Sequence, residues 1–158
     1  MPNVLASEIK NGANGFSADV EVVSYRLKQT GGRPRQFAGV EICSAMSYVV
    51  GPPLWYEINV YQTTEDAFVV EIRMFTKNEN ERDLFRVIDA VSLEDVFETL
   101  ETYDPAQDVD ASVLRFADDD ANVAELSVSA AALRLRVEEA RRQFRDLVGD
   151  ILYQIESA

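Results

Sequence analysis

The sequence feature that most constrains the fold is the alternation of apolar and polar residues across 18–76. Short turn-forming stretches interrupt this alternation, namely "KQTGGRPRQ", "GPP" and "TTED". A period of two is typical of β-strands that bury one face. Because consecutive strands joined by short turns run in opposite directions, the pattern predicts an antiparallel meander. Its strand segments are "ADVEVVSYRLK", "QFAGVEICSAMSYVV", "LWYEINVYQ" and "AFVVEIRMF".

The phase of the alternation predicts which side chains share a face. In the second segment Cys43 alternates with the apolar set and is therefore expected on the opposite face. That apolar set is Val40, Ile42, Met46, Tyr48 and Val50. In the first segment the phase changes at 22–23, which predicts a β-bulge at that point.

The turn at 64–66 predicts how the third and fourth strands pair. It places Glu57 opposite Arg73, where the two form a cross-strand ion pair. A shift of two residues would instead face Glu57 with Glu71, and two like charges in direct opposition are destabilising. The favoured register also pairs Val60 with Val70, Ile58 with Ile72 and Trp55 with Phe75.

The next segments predict a fifth strand and a short helix. The stretch "LFRVIDAV" at 84–91 is interpreted as a strand, although its apolar spacing also permits a helix. Ser92 and Asp95 have the spacing of a capping box, so a short helix is expected near 93–103. It should end at the Asp104-Pro105 pair, because a residue before proline disfavours helical geometry.

A long amphipathic helix is predicted over 129–156. Its apolar residues recur with gaps of three and four, the spacing of one helical face. They are Leu133, Val137, Ala140, Phe144, Leu147, Ile151 and Ile155. The preceding stretch "NVAELSVS" is either a short strand or the beginning of this helix. A helix of this length spans about 42 Å, so it either crosses the sheet diagonally or projects beyond it, where it could pair with a second copy.

Together these elements predict an α+β fold: an antiparallel meander of four or five strands, a short helix, and the long C-terminal helix packed on the sheet. A chain of 158 residues has the size of a single domain. Residues 1–15 are interpreted as a loose lead-in and 104–122 as an acidic loop. Both sheet faces are apolar, so the second face also needs cover. We expect that cover from the short helix or from another subunit.

Several chemistries are excluded by residues that the chain lacks. There is no histidine and only one cysteine, Cys43. A Ser-His-Asp or Cys-His arrangement therefore cannot form within one chain, nor can a structural zinc site with four such ligands. No glycine-rich phosphate loop is present. Catalysis would have to use carboxylates, tyrosine, lysine or a hard metal ion, so a non-enzymatic protein is favoured and no cofactor is indicated.

Charge and hydropathy indicate the cellular setting. The formal net charge is −13, and 89–125 holds twelve acidic residues against Arg115 alone. This distribution argues against binding to nucleic acid or to anionic membranes, because both need clustered cations. The N-terminus does not resemble a signal peptide, and no apolar run is long enough to span a bilayer. The sequence is therefore interpreted as a cytoplasmic protein.

The acidic stretch "DPAQDVDASVLRFADDD" at 104–120 admits three interpretations. Its alternating aspartates resemble the start of a calcium loop, which makes Asp108, Asp110, Asp118 and Asp120 candidate ligands of a divalent cation. The glycine and the final glutamate that such a loop needs are missing. The stretch could instead bind a basic protein surface. The interpretation favoured by the sequence is a solvated loop.

The third strand offers a candidate ligand site. Trp55, Glu57, Asn59 and Tyr61 alternate with the core residues and therefore point to the second face of the sheet. Two aromatic rings beside a carboxylate and an amide could form a small-molecule platform. The same residues are also explained by cross-strand pairing alone, which the sequence favours.

We therefore expect a non-enzymatic protein-interaction domain, such as an adaptor, a chaperone-like protein or a regulatory subunit. Its partner is expected to be another protein or a second copy of the chain, as in a homodimer. The alternatives are a small-molecule-binding or carboxylate-based enzymatic domain that uses the Trp55 and Tyr61 face, and a cation-binding protein that uses the acidic loop.

Overall fold

A computed structural model describes residues 20–109 and 123–158. The sheet order is β1-β2-β3-β4-β5, and every neighbouring pair is antiparallel. This arrangement confirms the α+β meander and shows that the ambiguous stretch 84–91 forms a strand over Leu84–Ala90. The elements are β1 (Val23–Leu27), β2 (Arg35–Met46), β3 (Leu54–Thr63), β4 (Phe68–Thr76), β5 (Leu84–Ala90), α1 (Leu93–Thr102), a 3₁₀ turn η1 (Pro105–Asp108) and α2 (Val123–Glu156). The expected lead-in at 1–15 lies outside the described residues.

The β3–β4 register is the predicted one. Glu57 pairs with Arg73 and Trp55 pairs with Phe75. The apolar pairs Val60–Val70 and Ile58–Ile72 also match. The turn and the charge pattern were therefore sufficient to fix this pairing.

The predicted faces of β2 are wrong after Glu41. The β2–β3 register shifts between Glu41 and Cys43, and this shift leaves Ile42 without a partner. Cys43 consequently faces the core opposite Val60, whereas Met46 is 59% exposed. The phase change expected to mark a bulge at 22–23 coincides instead with the start of β1.

Both helices pack on one face of the sheet, which we call the first face. The core there combines Ile58, Val70 and Ile72 of the sheet with helix residues, all almost fully buried. The helix residues are Val96 and Leu100 of α1 and Ala140, Phe144, Leu147 and Ile151 of α2. The expectation that the short helix covers the opposite face is therefore wrong.

The second face is covered by the β1–β2 hairpin. The Thr30 amide donates to the Phe85 carbonyl and the Phe85 amide donates to the Thr30 hydroxyl, both at 2.8 Å. Arg35 Nε also lies 3.1 Å from Asp89 Oδ1. Because β3 and β4 separate this hairpin from β5, the sheet must coil until the hairpin and β5, at its two opposite edges, meet. The coil encloses a second apolar cluster of Leu27, Tyr61 and Val69, with Tyr25, Phe37 and Val87 around it.

The helix starts follow from local chemistry. Ser92 caps α1 as expected: its hydroxyl accepts a hydrogen bond from the Asp95 amide at 3.1 Å. The Asp95 carboxylate in turn accepts from the Val91 amide at 2.9 Å. Helix α2 begins at Val123 rather than at Ser129, so "NVAELSVS" is part of the helix from Val123 onward.

Helix α2 has 34 residues, which corresponds to a length of about 51 Å. Its buried residues all lie between Ala140 and Ile151. Gln143 anchors the helix beside the β2–β3 turn, where its amide donates to the Leu54 carbonyl at 3.0 Å. Arg136 forms an ion pair with Glu81 in the β4–β5 turn. The β2–β3 and β4–β5 turns lie at the same end of the sheet, which we call the hairpin end. The helix residues before Arg136 project past this end.

The C-terminal part of α2 reaches the edge of the sheet. The Gln154 amide nitrogen donates to the Ser44 carbonyl at 3.0 Å, and its oxygen accepts from the Ser44 amide at 3.4 Å. A side chain thus bonds to both main-chain groups of one residue in β2. None of the helices in the described ranges is both long enough and apolar enough to cross a membrane.

Candidate functional site on the second sheet face

Three of the four residues expected to form a ligand site converge on the second face around a buried carboxylate, Glu71. Asn59 is 3% exposed, and its amide donates to Glu57 and to Glu71 at 3.0 Å each. The Tyr61 hydroxyl donates to the same Glu71 oxygen at 3.0 Å. We call Glu57, Asn59, Tyr61, Glu71 and Arg73 the polar cluster.

Arg73 supplies the positive charge of the polar cluster. Its Nη2 lies 3.0 Å from Glu71 Oε2 and its Nη1 lies 3.6 Å from Glu57 Oε1. Burial acts to lower the pKa of Arg73, but Glu71 and then Glu57 raise it overall. The alignment is imperfect, because Glu71 Oε2 and Arg73 Nε are buried and have no hydrogen-bond partner among the described residues. The attraction between these groups is therefore Coulombic more than directional.

Burial also fixes the state of Tyr61. Burial and then the neighbouring Glu71 raise the pKa of the Tyr61 hydroxyl far above its usual value. The hydroxyl consequently remains a hydrogen-bond donor and is unsuited to act as a nucleophile or base at neutral pH.

Glu41 makes the surroundings of the polar cluster more acidic. Burial is the main cause that raises the pKa of Glu41, followed by the charges of Glu57 and Glu71, while Arg73 opposes them. Three carboxylates therefore share one guanidinium, and the region as a whole is negative. Ser44 adds a hydrogen bond to Asn59 Oδ1 at 2.6 Å.

Replacing Glu41 with glutamine is expected to raise the midpoint of thermal unfolding at pH 7. A carboxyl group whose folded-state pKa is raised stabilises the fold only while it is protonated, and this contribution is lost as pH rises through the folded pKa. The gain from Glu41→Gln should therefore disappear below the ordinary glutamate pKa of 4.5. Midpoints of both proteins between about pH 3.5 and pH 7 test this. A gain that did not depend on pH would contradict the electrostatic cause.

Trp55 lies apart from the polar cluster, in a strip of aromatic side chains. It stacks on Phe75 with ring centroids 5.2 Å apart and meets the edge of Tyr48 at 5.1 Å. Phe75 contacts Phe85 at 6.1 Å. We call Tyr48, Trp55, Phe75 and Phe85 the aromatic strip. It runs across the strands at the hairpin end, and its stacking explains Trp55 without a ligand.

Two cavities of the described residues lie away from this aromatic strip. A groove of about 400 Å³ separates the end of α1 from α2, with Tyr103 and Phe144 in its wall and the Asp104–Arg141 ion pair at its rim. Neither this groove nor a second, smaller cavity beside Arg35 and Thr64 borders Trp55 or Glu57. These two cavities therefore give no support to the small-molecule hypothesis for this face, which stays a prediction.

The candidate metal ligand Asp108 lies on the first face, in a second buried constellation. It is 5% exposed and accepts hydrogen bonds from Tyr56 at 2.9 Å, Tyr103 at 2.6 Å and Arg86 at 2.9 Å. Burial, together with the contact to Asp108, raises the pKa of both tyrosines. The carboxylate is thus engaged by three protein donors, and it ties η1 to the sheet.

The other three candidate ligands, Asp110, Asp118 and Asp120, lie outside the described residues. Within 20–109 and 123–158, no three cysteine, aspartate or glutamate side chains are grouped so that they could hold a metal ion. Cation binding by the acidic loop therefore stays a prediction.

Relatives provide no further guide to the function. Comparisons of the chain with protein-family models, curated proteins and solved structures find no match. The function must therefore be inferred from the geometry of this molecule.

Sequence reasoning did not predict that Glu71 and Asp108 are buried and paired with protein donors. Glu71 lies between Val70 and Ile72 in a mainly apolar strand whose only other charged residue is Arg73, and this pattern is the signal of a buried, paired carboxylate. Asp108 gave no such signal, because its three partners come from separate parts of the chain.

Proposed function

We propose that this chain is a non-enzymatic protein-interaction domain that self-associates as a homodimer through the N-terminal part of α2. The observation that carries this proposal is the apolar stripe along one side of α2, which extends into the part of the helix that projects at the hairpin end. Seven of the twelve exposed large hydrophobic residues of the described chain lie there. They are Met46, Tyr48, Val49, Val50, Val123, Val128 and Leu135. A concentration of exposed apolar side chains is typical of a protein-binding surface.

The apolar stripe of α2 continues without a break from the core into the projecting part. Its residues follow gaps of three and four from Val123 to Ile151, which is a heptad spacing. The stripe consists of Val123, Leu126, Ala130, Leu133, Val137, Ala140, Phe144, Leu147 and Ile151. From Ala140 onward the sheet buries it, but Val123 is 80% exposed and Leu126 and Leu133 are only half-buried.

A second copy is the partner that fits this stripe. An isolated helical segment shorter than about 12–15 residues is marginal in water, so a projecting helix gains stability from packing. The same heptad pattern on a second chain supplies matching apolar residues at matching intervals. Self-pairing would thus extend the packing that α2 already makes on its own sheet.

The state of the reactive groups supports a non-enzymatic role. The buried carboxylates Glu71 and Asp108 are held in ion pairs, and the tyrosines beside them have raised pKa values. Burial raises the pKa of Cys43 to about 11, so its thiol is protonated at neutral pH. A single buried thiol suits a reducing compartment, and we propose the cytoplasm.

Replacing Leu126 and Leu133 with glutamine is expected to convert a dimer into a monomer. The change removes two apolar side chains from the stripe, each worth about 1.5–3 kcal/mol when fully buried, while glutamine preserves helix propensity. Dimerisation should therefore weaken at least about a hundredfold, seen as a higher dissociation constant in sedimentation velocity over a concentration series.

The matched control is Val128→Gln with Leu135→Gln. These residues belong to the same projecting segment but lie on the opposite side of the helix, and they are 70% and 67% exposed. The control variant should remain dimeric. A wild-type protein that is monomeric at about 100 µM, or equal weakening in both variants, would refute self-association through the stripe.

A further inference from the structure

The aromatic strip is bounded at both ends by a lysine. Lys77 Nζ lies 5.0 Å from the Tyr48 ring centroid, and Lys28 Nζ lies 4.8 Å from that of Phe85. The whole sequence contains only one other lysine, Lys10. Both lysines of the described chain are thus placed at the ends of one apolar feature.

These two ammonium groups lack an acidic partner within the described part of the chain. Six arginines there form ion pairs with carboxylates, but no described carboxylate lies within 4.0 Å of Lys28 or Lys77. Lys77 makes one polar contact, to the Val49 carbonyl at 3.3 Å. Both lysines are exposed. Five described arginines also lack an ion pair, but of these unpaired cations only Lys28 and Lys77 lie over rings of the aromatic strip.

The strip also has accessible apolar surface. Tyr48 is 48% exposed, and the adjoining turn residues Val49 and Val50 are 52% and 91% exposed. Trp55, Phe75 and Phe85 are half-buried. Three centroid separations of 5.1, 5.2 and 6.1 Å give a strip at most about 16 Å long, which an extended peptide covers with about five residues.

We propose that the aromatic strip docks an extended segment of a partner protein that has apolar side chains at its centre and an aspartate or glutamate at each end. The rings would contact the apolar side chains, and Lys28 and Lys77 would each pair with one terminal carboxylate. This surface is separate from the α2 stripe, so the chain can hold a partner and a second copy through different residues.

Charge decides between a peptide and a single-stranded nucleic acid. Aromatic rings with lysines could also stack bases, but such grooves follow the phosphate backbone with many cations. Here there are only two lysines, and the carboxylate of Glu57, two residues from Trp55 on the same face of β3, would repel a polyphosphate. The proposed peptide has only two carboxylates, and each of them lies beside a lysine.

Trp55 is the only tryptophan in the chain, so its fluorescence reports directly on the strip. The probe is the peptide Glu-Ser-Phe-Ser-Phe-Ser-Glu, whose phenylalanines and glutamates share one face of the extended chain, compared with versions that carry lysine or glutamine at both ends. We expect a saturable change in Trp55 emission, with the glutamate-ended peptide binding about fivefold or more tightly than the lysine-ended one. This preference should shrink in about 1 M salt.

The variant Lys28→Glu with Lys77→Glu should reverse that preference, so that the lysine-ended peptide binds more tightly. Both positions are exposed, so the fold should be retained, and circular dichroism checks this. The variant Leu126→Gln with Leu133→Gln should bind the peptides as the wild type does, which separates docking from self-association. Four results would overturn the proposal: no emission change at about 1 mM peptide, equal binding of all three peptides, an unchanged preference in the lysine variant, or tighter binding of oligothymidine.

Discussion

Replacing Asp108 with alanine is expected to lower the free energy of unfolding by about 3 kcal/mol, because the change leaves buried partners of a charge pair unsatisfied. The Tyr56 hydroxyl is fully buried and would lose its acceptor. Arg86 would lose the carboxylate at 2.9 Å, although its side chain is 38% exposed and therefore partly solvated. Urea unfolding of wild type and variant, with equal slopes, gives the difference.

Two controls test the cause of the stability lost in Asp108→Ala. Asp89→Ala removes an exposed ion pair with Arg35 and should change stability by less than about 1 kcal/mol. Unfolding in a chelator tests whether Asp108 stabilises the fold through its bonds to Tyr56, Tyr103 and Arg86 or as the ligand of a cation. A cation ligand contributes stability only when the ion is bound. If the bonds to protein donors are the cause, Asp108→Ala should show the full loss of stability in chelator. Calcium, magnesium or manganese should then give the wild type no stabilisation that depends on Asp108. A loss that appeared only with a cation present would instead support the metal hypothesis.

Replacing Glu71 with glutamine is expected to lower the free energy of unfolding by about 2–3 kcal/mol. The shape is nearly preserved, but Arg73 loses its closest carboxylate at a position where the Glu71 side chain is 1% exposed. The glutamine amide also brings donors toward the Tyr61 hydroxyl and the Asn59 amide, which already donate to this position. Urea unfolding again provides the measurement.

Glu57→Gln is the matched control for Glu71→Gln, because Glu57 faces the same guanidinium at 3.6 Å but is 24% exposed. It should reduce stability by less than half as much. The double variant Glu71→Gln with Arg73→Gln should lose less than the sum of the single variants, since neither residue then leaves the other unpaired. Additive losses, or equal losses for Glu71 and Glu57, would show that the buried Arg73 contact contributes nothing.

The sequence was a good guide wherever neighbouring segments determine the structure. The β3–β4 register depends on a short turn and on the charges of Glu57, Glu71 and Arg73, all within one hairpin. The α1 cap depends on Ser92 and Asp95, which are three residues apart. Local chemistry of this kind leaves a readable pattern, so the strands, the short helix and most of the long helix could be predicted.

Features that depend on distant segments could not be predicted in this way. The shift at Ile42 turns Cys43 into the core, but both residues are compatible with either face. The coil of the sheet depends on Thr30 meeting Phe85 across two intervening strands. Asp108 lies in an acidic stretch, and nothing in that stretch indicates that Tyr56 and Arg86 will surround it.

The candidate site was therefore only partly predicted. Alternation correctly assigned Glu57, Asn59 and Tyr61 to one face. It could not separate Trp55 from them, because the division between polar cluster and aromatic strip depends on residues of β4, β5 and the β2–β3 turn. The lysines at the ends of the strip come from two different turns, and their common position appears only in the folded chain.

The hydrogen bonds between Gln154 and Ser44 bear on how this protein avoids aggregation. An open strand edge presents unpaired amides and carbonyls that can recruit a strand from another molecule. A side-chain amide has the same donor and acceptor as a peptide group, so Gln154 occupies the place that an invading strand would take at Ser44. Edge-to-edge polymerisation of folded molecules would have to displace the last turns of α2 at that point. Helix α2, which completes the core, thus also blocks strand addition at this edge of the sheet.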